Sequence, residues 1–155
     1  MMMKITVLLS IIAVCFMYSC SGSDSGKTYT LKTGEYDYVI SDSSGLSLVE
    51  GVMKFDSVGR ELYPGSHEVA GSYTITKMSD DTSYHGLSTL RKGELKGFYN
   101  DSAKFININT NPKIADANVF INANVSSKEL KGSWYYSTFR GKNKEGGLFT
   151  AVKKK

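Results

Sequence analysis

Residues 28–155 are predicted to form a small all-β domain: an antiparallel up-and-down β-barrel of about eight strands, with a β-sandwich as the alternative. Three observations predict it. Apolar and polar residues alternate with period two in short segments rich in aromatic and β-branched side chains, the pattern of half-buried strands. Turn-forming clusters break these segments at short intervals, and no stretch longer than two turns carries a helical apolar face. A Gly-x-aromatic pattern also recurs along the chain, which suits a sheet that curls until its edges meet.

Taken in order, Tyr29 and Leu31 alternate with Thr28, Thr30 and Lys32, and Tyr36, Tyr38 and Ile40 alternate with Glu35, Asp37 and Val39. Turns are expected at Asp42-Ser-Ser-Gly45, Ser57-Val-Gly59, Pro64-Gly65, Ser79-Asp-Asp81, Asn100-Asp101 and Asn111-Pro112. Two segments echo each other, Glu94-Leu-Lys-Gly-Phe-Tyr99 and Glu129-Leu-Lys-Gly-Ser-Trp134. The looser pattern adds Gly34-Glu-Tyr36, Gly71-Ser-Tyr73 and Gly147-Leu-Phe149. A glycine within a strand marks a bend or a close approach of backbones, and the aromatic two residues on is expected to cover the gap. These repeats favour the curled, closed sheet over the sandwich.

The clearest hairpin joins Phe105–Asn109 to Ala117–Val125 through the connection 110–116. Ile106 and Ile108, with Val119, Ile121, Ala123 and Val125, are expected to face inward. Asn107, Asn109, Asn118, Phe120, Asn122 and Asn124 would then form an amide-rich outer face. For Trp134, the glycine two residues before it, its match to Tyr99 in the first echo, and the serines at 133 and 137 all favour the inner face.

Charge and chemistry-bearing residues exclude several functions. The net charge is +4 and mildly spread, apart from Lys153-Lys154-Lys155. No basic block interleaves with aromatics, so nucleic acid is not an expected partner. Cys15 and Cys20 are the only cysteines, which leaves the domain without disulfides, a thiol nucleophile or a cysteine–zinc module. His67 and His85 lie in separate turn-like segments without paired-ligand spacing, so neither a metal nor another cofactor is expected. Glu35, Asp37, Glu50, Glu61 and Glu68 are scattered as a solvated strand face would have them. There is no Gly-x-Ser-x-Gly elbow and no phosphate-cradling glycine loop, so the chain is not read as an enzyme.

The N-terminus has a different character. Lys4 precedes an apolar run from Ile5 to Met17, too short to span a bilayer, and the small residue Ser19 follows directly before Cys20. This is the layout of a secretory signal peptide over residues 1–19. Met17-Tyr18-Ser19-Cys20 resembles the lipobox of bacterial lipoproteins. That resemblance implies that Cys20 is acylated and becomes the mature N-terminus, anchored in the membrane by lipid chains. Residues 20–27, Cys-Ser-Gly-Ser-Asp-Ser-Gly-Lys, would then be the tether, with the Gly/Ser composition of a flexible linker. Ser21, in place of an acidic residue, implies the outer membrane of the bacterial cell envelope as the destination.

Gly132-Ser-Trp134 and the repeated Leu-x-Gly-x-aromatic pattern resemble elements of the lipocalin and avidin barrels, which implies a binding barrel. On that reading a monomeric barrel encloses a small apolar or amphipathic ligand among its inner aromatics, with Trp134, Tyr136, Tyr99, Tyr73 and Tyr36 as the candidate contacts. The alternative is a structural or surface-interaction lipoprotein whose solid core supports an exterior that meets a protein or glycan. A cavity needs small residues opposite the aromatics, and Ala103, Ala115, Ala117 and Ala123 are few.

Overall fold

A computed structural model describes residues 30–80, 87, 91–115, 117–137 and 145–155. The signal peptide, Cys20, the tether, Thr28, Tyr29, Asp81 and His85 lie outside the described residues. Eight strands follow one another: β1 (Gly34–Ser41), β2 (Ser47–Tyr63), β3 (Ser66–Met78), β4 (Lys92–Asn100), β5 (Phe105–Asn109), β6 (Asn118–Val125), β7 (Glu129–Ser137) and β8 (Gly146–Lys153). Each pairs antiparallel with the next, and β8 returns to β1, closing an eight-stranded up-and-down barrel. The seam runs from Tyr36 opposite Lys153 to Ser41 opposite Leu148.

Inward residues follow the period-two pattern. Trp134, Tyr99, Phe55, Phe149, Met53, Leu95, Ile106, Ile108, Ile121, Leu130, Val49 and Val69 are fully buried. Leu95 and Leu130 hold matching places in the two sequence echoes, one on β4 and one on β7. The inward glycines explain the curvature. A Cβ on Gly51, Gly71, Gly97, Gly132 or Gly147 would run into the backbone carbonyl oxygen of Thr74, Lys54, Asn107, Asn122 or Ser41 respectively. Only hydrogen lets the neighbouring backbone come this close, so the sheet bends inward there. The gap is filled from the neighbouring strand, not by the aromatic two residues on. Tyr38 lies opposite Gly51, Phe55 opposite Gly71, Tyr73 opposite Gly93, Phe149 opposite Gly132 and Trp134 opposite Gly147. Cross-strand aromatic cover of this kind also pins register.

Three expectations are corrected. Thr30–Lys32 is not strand: the chain crosses one mouth of the barrel and plugs it with buried Leu31. This is possible because its carbonyls find side-chain donors instead of a ladder. Lys32 accepts from the Tyr36 hydroxyl at 2.8 Å and Thr33 from Lys153 Nζ at 2.8 Å. Ser57-Val-Gly59 is not a turn but lies within β2, where register shifts flank it and the strand absorbs extra residues as bulges. Asn118, expected on the outer face, is buried at 7% exposure, and its Oδ1 has no hydrogen-bond partner among the described residues. It adjoins the 110–117 connection, which is bonded down through Asn111 Nδ2 to the Ala117 carbonyl at 2.8 Å.

The turns at 42–45, 64–65, 100–101 and 111–112 stand where the breakers predict them. Asp42 Oδ1 accepts the Ser44 and Leu46 N–H groups at 2.8 and 2.9 Å, and Gly45 takes φ +93°. One barrel end therefore carries the turns 64–65, 101–104 and 126–128 together with the plug and the C-terminal tail. The other carries the turn 42–46, the described residues 110–115 and 117, and the ends of β3 and β7 with the starts of β4 and β8.

Candidate functional site

The five aromatics expected to line a ligand cavity all sit on inward strand positions, but most of their polar tips are already engaged. Trp134 is 1% exposed, and its Nε1 donates to the Ser41 carbonyl at 2.7 Å. Tyr36 packs edge-on against Phe55 at 5.2 Å and gives its hydroxyl to the plug. Tyr99 is buried and hydrogen-bonds the Leu31 backbone of the same plug. Tyr73 hydrogen-bonds the Thr110 hydroxyl. Tyr136 is half-buried and packs against the core near the end of β7. Trp134, Tyr99 and Tyr36 thus brace the interior, whereas Tyr73 lies where space remains.

That space is small. A cavity of about 30 Å³ near the 110–117 end is lined by Tyr38, Tyr73, Thr110 and Asn111 among apolar neighbours that include Met53 and Leu87. It has room for about two waters, against the roughly 300–1,000 Å³ of an ordinary ligand pocket. Ala123 is the one foreseen alanine fully inside, Ala117 reaches the cavity rim, and Ala103 and Ala115 stay in exposed turns.

The cavity borders a larger feature in the barrel wall. β4 pairs with β5 only from Lys96 to Asn100, so its first residues, from Lys92 to Leu95, have no strand beside them on that side. A groove of about 540 Å³ occupies the gap, walled by Ser72–Thr74, Lys92–Glu94 and Thr110–Ile114. Lys113 Nζ reaches Glu94 Oε1 at 2.7 Å across it. That bond and the lysine charge hold the Glu94 carboxyl below its ordinary range. Tyr73, Thr110 and Asn111 line both groove and cavity, so a hydroxyl pair and an amide stand where polar surface meets the apolar interior. Burial raises the phenol pKa of Tyr73 against the opposing Thr110 bond, and burial, then the neighbouring Tyr73, raises that of Tyr38. Both therefore remain neutral hydroxyls at physiological pH.

Sequence reasoning missed Tyr38, Thr110 and Asn111. Tyr38 shares the face of Tyr36, and Thr110 continues the inward parity of Ile106 and Ile108, so alternation carried one residue further would have found both.

The carboxylates named from sequence serve the surface. Glu35 and Asp37 lie within 3.6 and 3.2 Å of Lys154, Glu50 pairs with Lys77 at 2.9 Å, and Glu61 accepts the Gly65 N–H at 2.7 Å. Glu68 is exposed. Among the described residues no three His, Cys, Asp or Glu side chains converge as a metal site would require, and His67 faces Asp101 at 3.7 Å.

The class that fold and site define is a closed eight-stranded up-and-down barrel with a filled axis and a cleft in its wall. No protein-family model, no curated protein and no solved structure matches the chain.

Proposed function

We propose that this chain is a lipid-anchored protein of the bacterial cell envelope, held at the outer membrane through Cys20. Its barrel is a solid scaffold for a small-ligand site in the wall cleft. The reading is of a binding protein, not a catalyst. One observation carries it: Tyr73, Thr110 and Asn111 stand at once on the groove and on the apolar cavity. A small amphipathic molecule suits that boundary, with a polar part on the hydroxyls and amide and an apolar end of a few carbon atoms toward Met53 and Val119.

Native mass spectrometry of the protein purified from its own cells tests the reading. The expected result is added mass beyond the acyl chains, lost in Tyr73→Phe or Thr110→Val. Absence of such mass would overturn the ligand site. A fatty-acid analogue should label the wild type and not Cys20→Ala, and equal labelling of both would overturn the anchor.

A second reading, a surface-interaction lipoprotein that meets a protein or glycan, is favoured by the filled interior. Its natural face is the outer wall, where Asn107 Nδ2 donates to Asn122 Oδ1 at 2.6 Å beside the stacked rings of Phe120 and Tyr135, 5.2 Å apart. A ligand-free native mass spectrum would point to this face.

A further inference from the structure

We infer that the barrel end at which Thr30 enters and the C-terminal tail leaves lies against the bilayer that holds the anchor, with the β2–β3 turn, Leu62, Tyr63 and Pro64, seated among the lipid head groups. The in-cell geometry rests on the lipid-anchor reading, while the contact itself follows from the barrel. Thr30 enters at this end, and the stretch from Cys20 to Thr30 spans at most about 35 Å fully extended. A lipid on Cys20 therefore keeps this end near the membrane surface.

The hairpin is shaped for the contact. β2 leaves β1 at Phe55, opposite Gly34, and continues as Asp56–Tyr63 paired only with β3. At its tip Tyr63 is 74% exposed, more than any other large apolar side chain among the described residues, and its neighbour Leu62 is 42% exposed. Exposed apolar groups cost free energy in water, and tyrosine concentrates where one end of a side chain is apolar and the other wet. The turn is braced: Gly65 takes φ +73°, its N–H bonds Glu61 Oε1 at 2.7 Å, and its carbonyl accepts the Asp101 N–H at 2.9 Å. The apolar side chains are thus held outward on a fixed turn.

The unpaired edge of β2 is a poor docking strand, because bulges and the charges of Arg60 and Glu61 interrupt it. Arg60, Lys128 and Lys155 are exposed at the same end and are matched in number by Asp56, Glu61 and Glu129, so the contact is chiefly apolar. At the other end, away from Thr30, exposed Leu46 and Ile114 stand on separate connections. In this orientation the wall cleft, near the 110–117 end, faces away from the bilayer.

The test attaches the chain from Cys20 to vesicles of phosphatidylethanolamine and phosphatidylglycerol through a maleimide lipid, so that no cellular acylation is needed. Buried Trp134 is the only native tryptophan and sets the background. Brominated lipids should quench Tyr63→Trp several-fold more than the wild type, and leave Leu46→Trp at the wild-type level. Adding Leu62→Ser should reduce the quenching without changing thermal unfolding. Background quenching in Tyr63→Trp, or equal quenching in Leu46→Trp, would overturn the inference. Neither result touches the anchor itself, which fatty-acid labelling decides separately.

Discussion

Trp134, on β7, braces the closing seam from the neighbouring strand: its ring lies over Gly147 on β8, and its indole N–H caps the Ser41 carbonyl at the end of β1, at 2.7 Å. Trp134→Ala removes the largest fully buried side chain and the indole donor to that carbonyl, so it should cost about 3–5 kcal/mol in denaturant unfolding. The wild-type emission should be blue and unchanged by added fatty acids, because the ring is buried and its indole N–H is already engaged. The buried tyrosines make a second prediction. Burial raises the pKa of Tyr36, Tyr38, Tyr73 and Tyr99 above the ordinary 10.0 of a phenol. Between that value and the folded one, the unfolded chain has lost protons that the native state keeps. Stability is therefore full below pH 10 and falls as pH rises further. Thermal unfolding followed from pH 8 to pH 11 should show this loss, and Tyr38→Phe, which removes the largest shift, should flatten it.

At the scale of the element, glycine placement shapes the strands. Gly97 on β4 and Gly132 on β7 occupy matching places in the echoed segments, and each abuts an asparagine carbonyl, Asn107 or Asn122. The side chains of those two asparagines bond each other on the outer wall. The repeat is thus a matched pair of bends flanking the β5–β6 hairpin. Gly97→Ala sets a Cβ against fixed backbone and should destabilise by about 1–3 kcal/mol in urea unfolding. Gly59→Ala, where the nearest atom is 3.9 Å away, should stay within about 0.5 kcal/mol. The contrast separates glycines that bend the barrel from one within a bulged, exposed arm. Ser57-Val-Gly59 reads as a turn because its composition is that of a turn. β3 stays paired alongside and carries β2 through it.

For the whole molecule, the two ends divide the work. The plugged end holds Thr30, the C-terminal tail and the apolar hairpin tip, and the opposite half holds the cavity and the wall cleft. An even number of strands forces this split: eight antiparallel strands return the chain to the end from which it started, so Thr30 and the C-terminal tail share one end. Period-two alternation, regular breakers and inward glycines were legible from the residues alone, because each reflects local geometry that any strand of a curled sheet must satisfy. The barrel class, the inward face of Trp134 and the β5–β6 hairpin followed from them. What only the tertiary structure decided depended on partners distant in sequence. Thr30–Lys32 alternates like a strand but plugs a mouth, since Tyr36 and Tyr99 supply its hydrogen bonds and Lys153 holds the Thr33 carbonyl that follows. Asn118 reads as an outer amide but is buried beside a connection. Whether the axis is hollow or filled was likewise illegible, because it turns on which side chains meet across the barrel. The cleft exists only because β4 outruns β5, a mismatch of length that becomes a site once the sheet has closed.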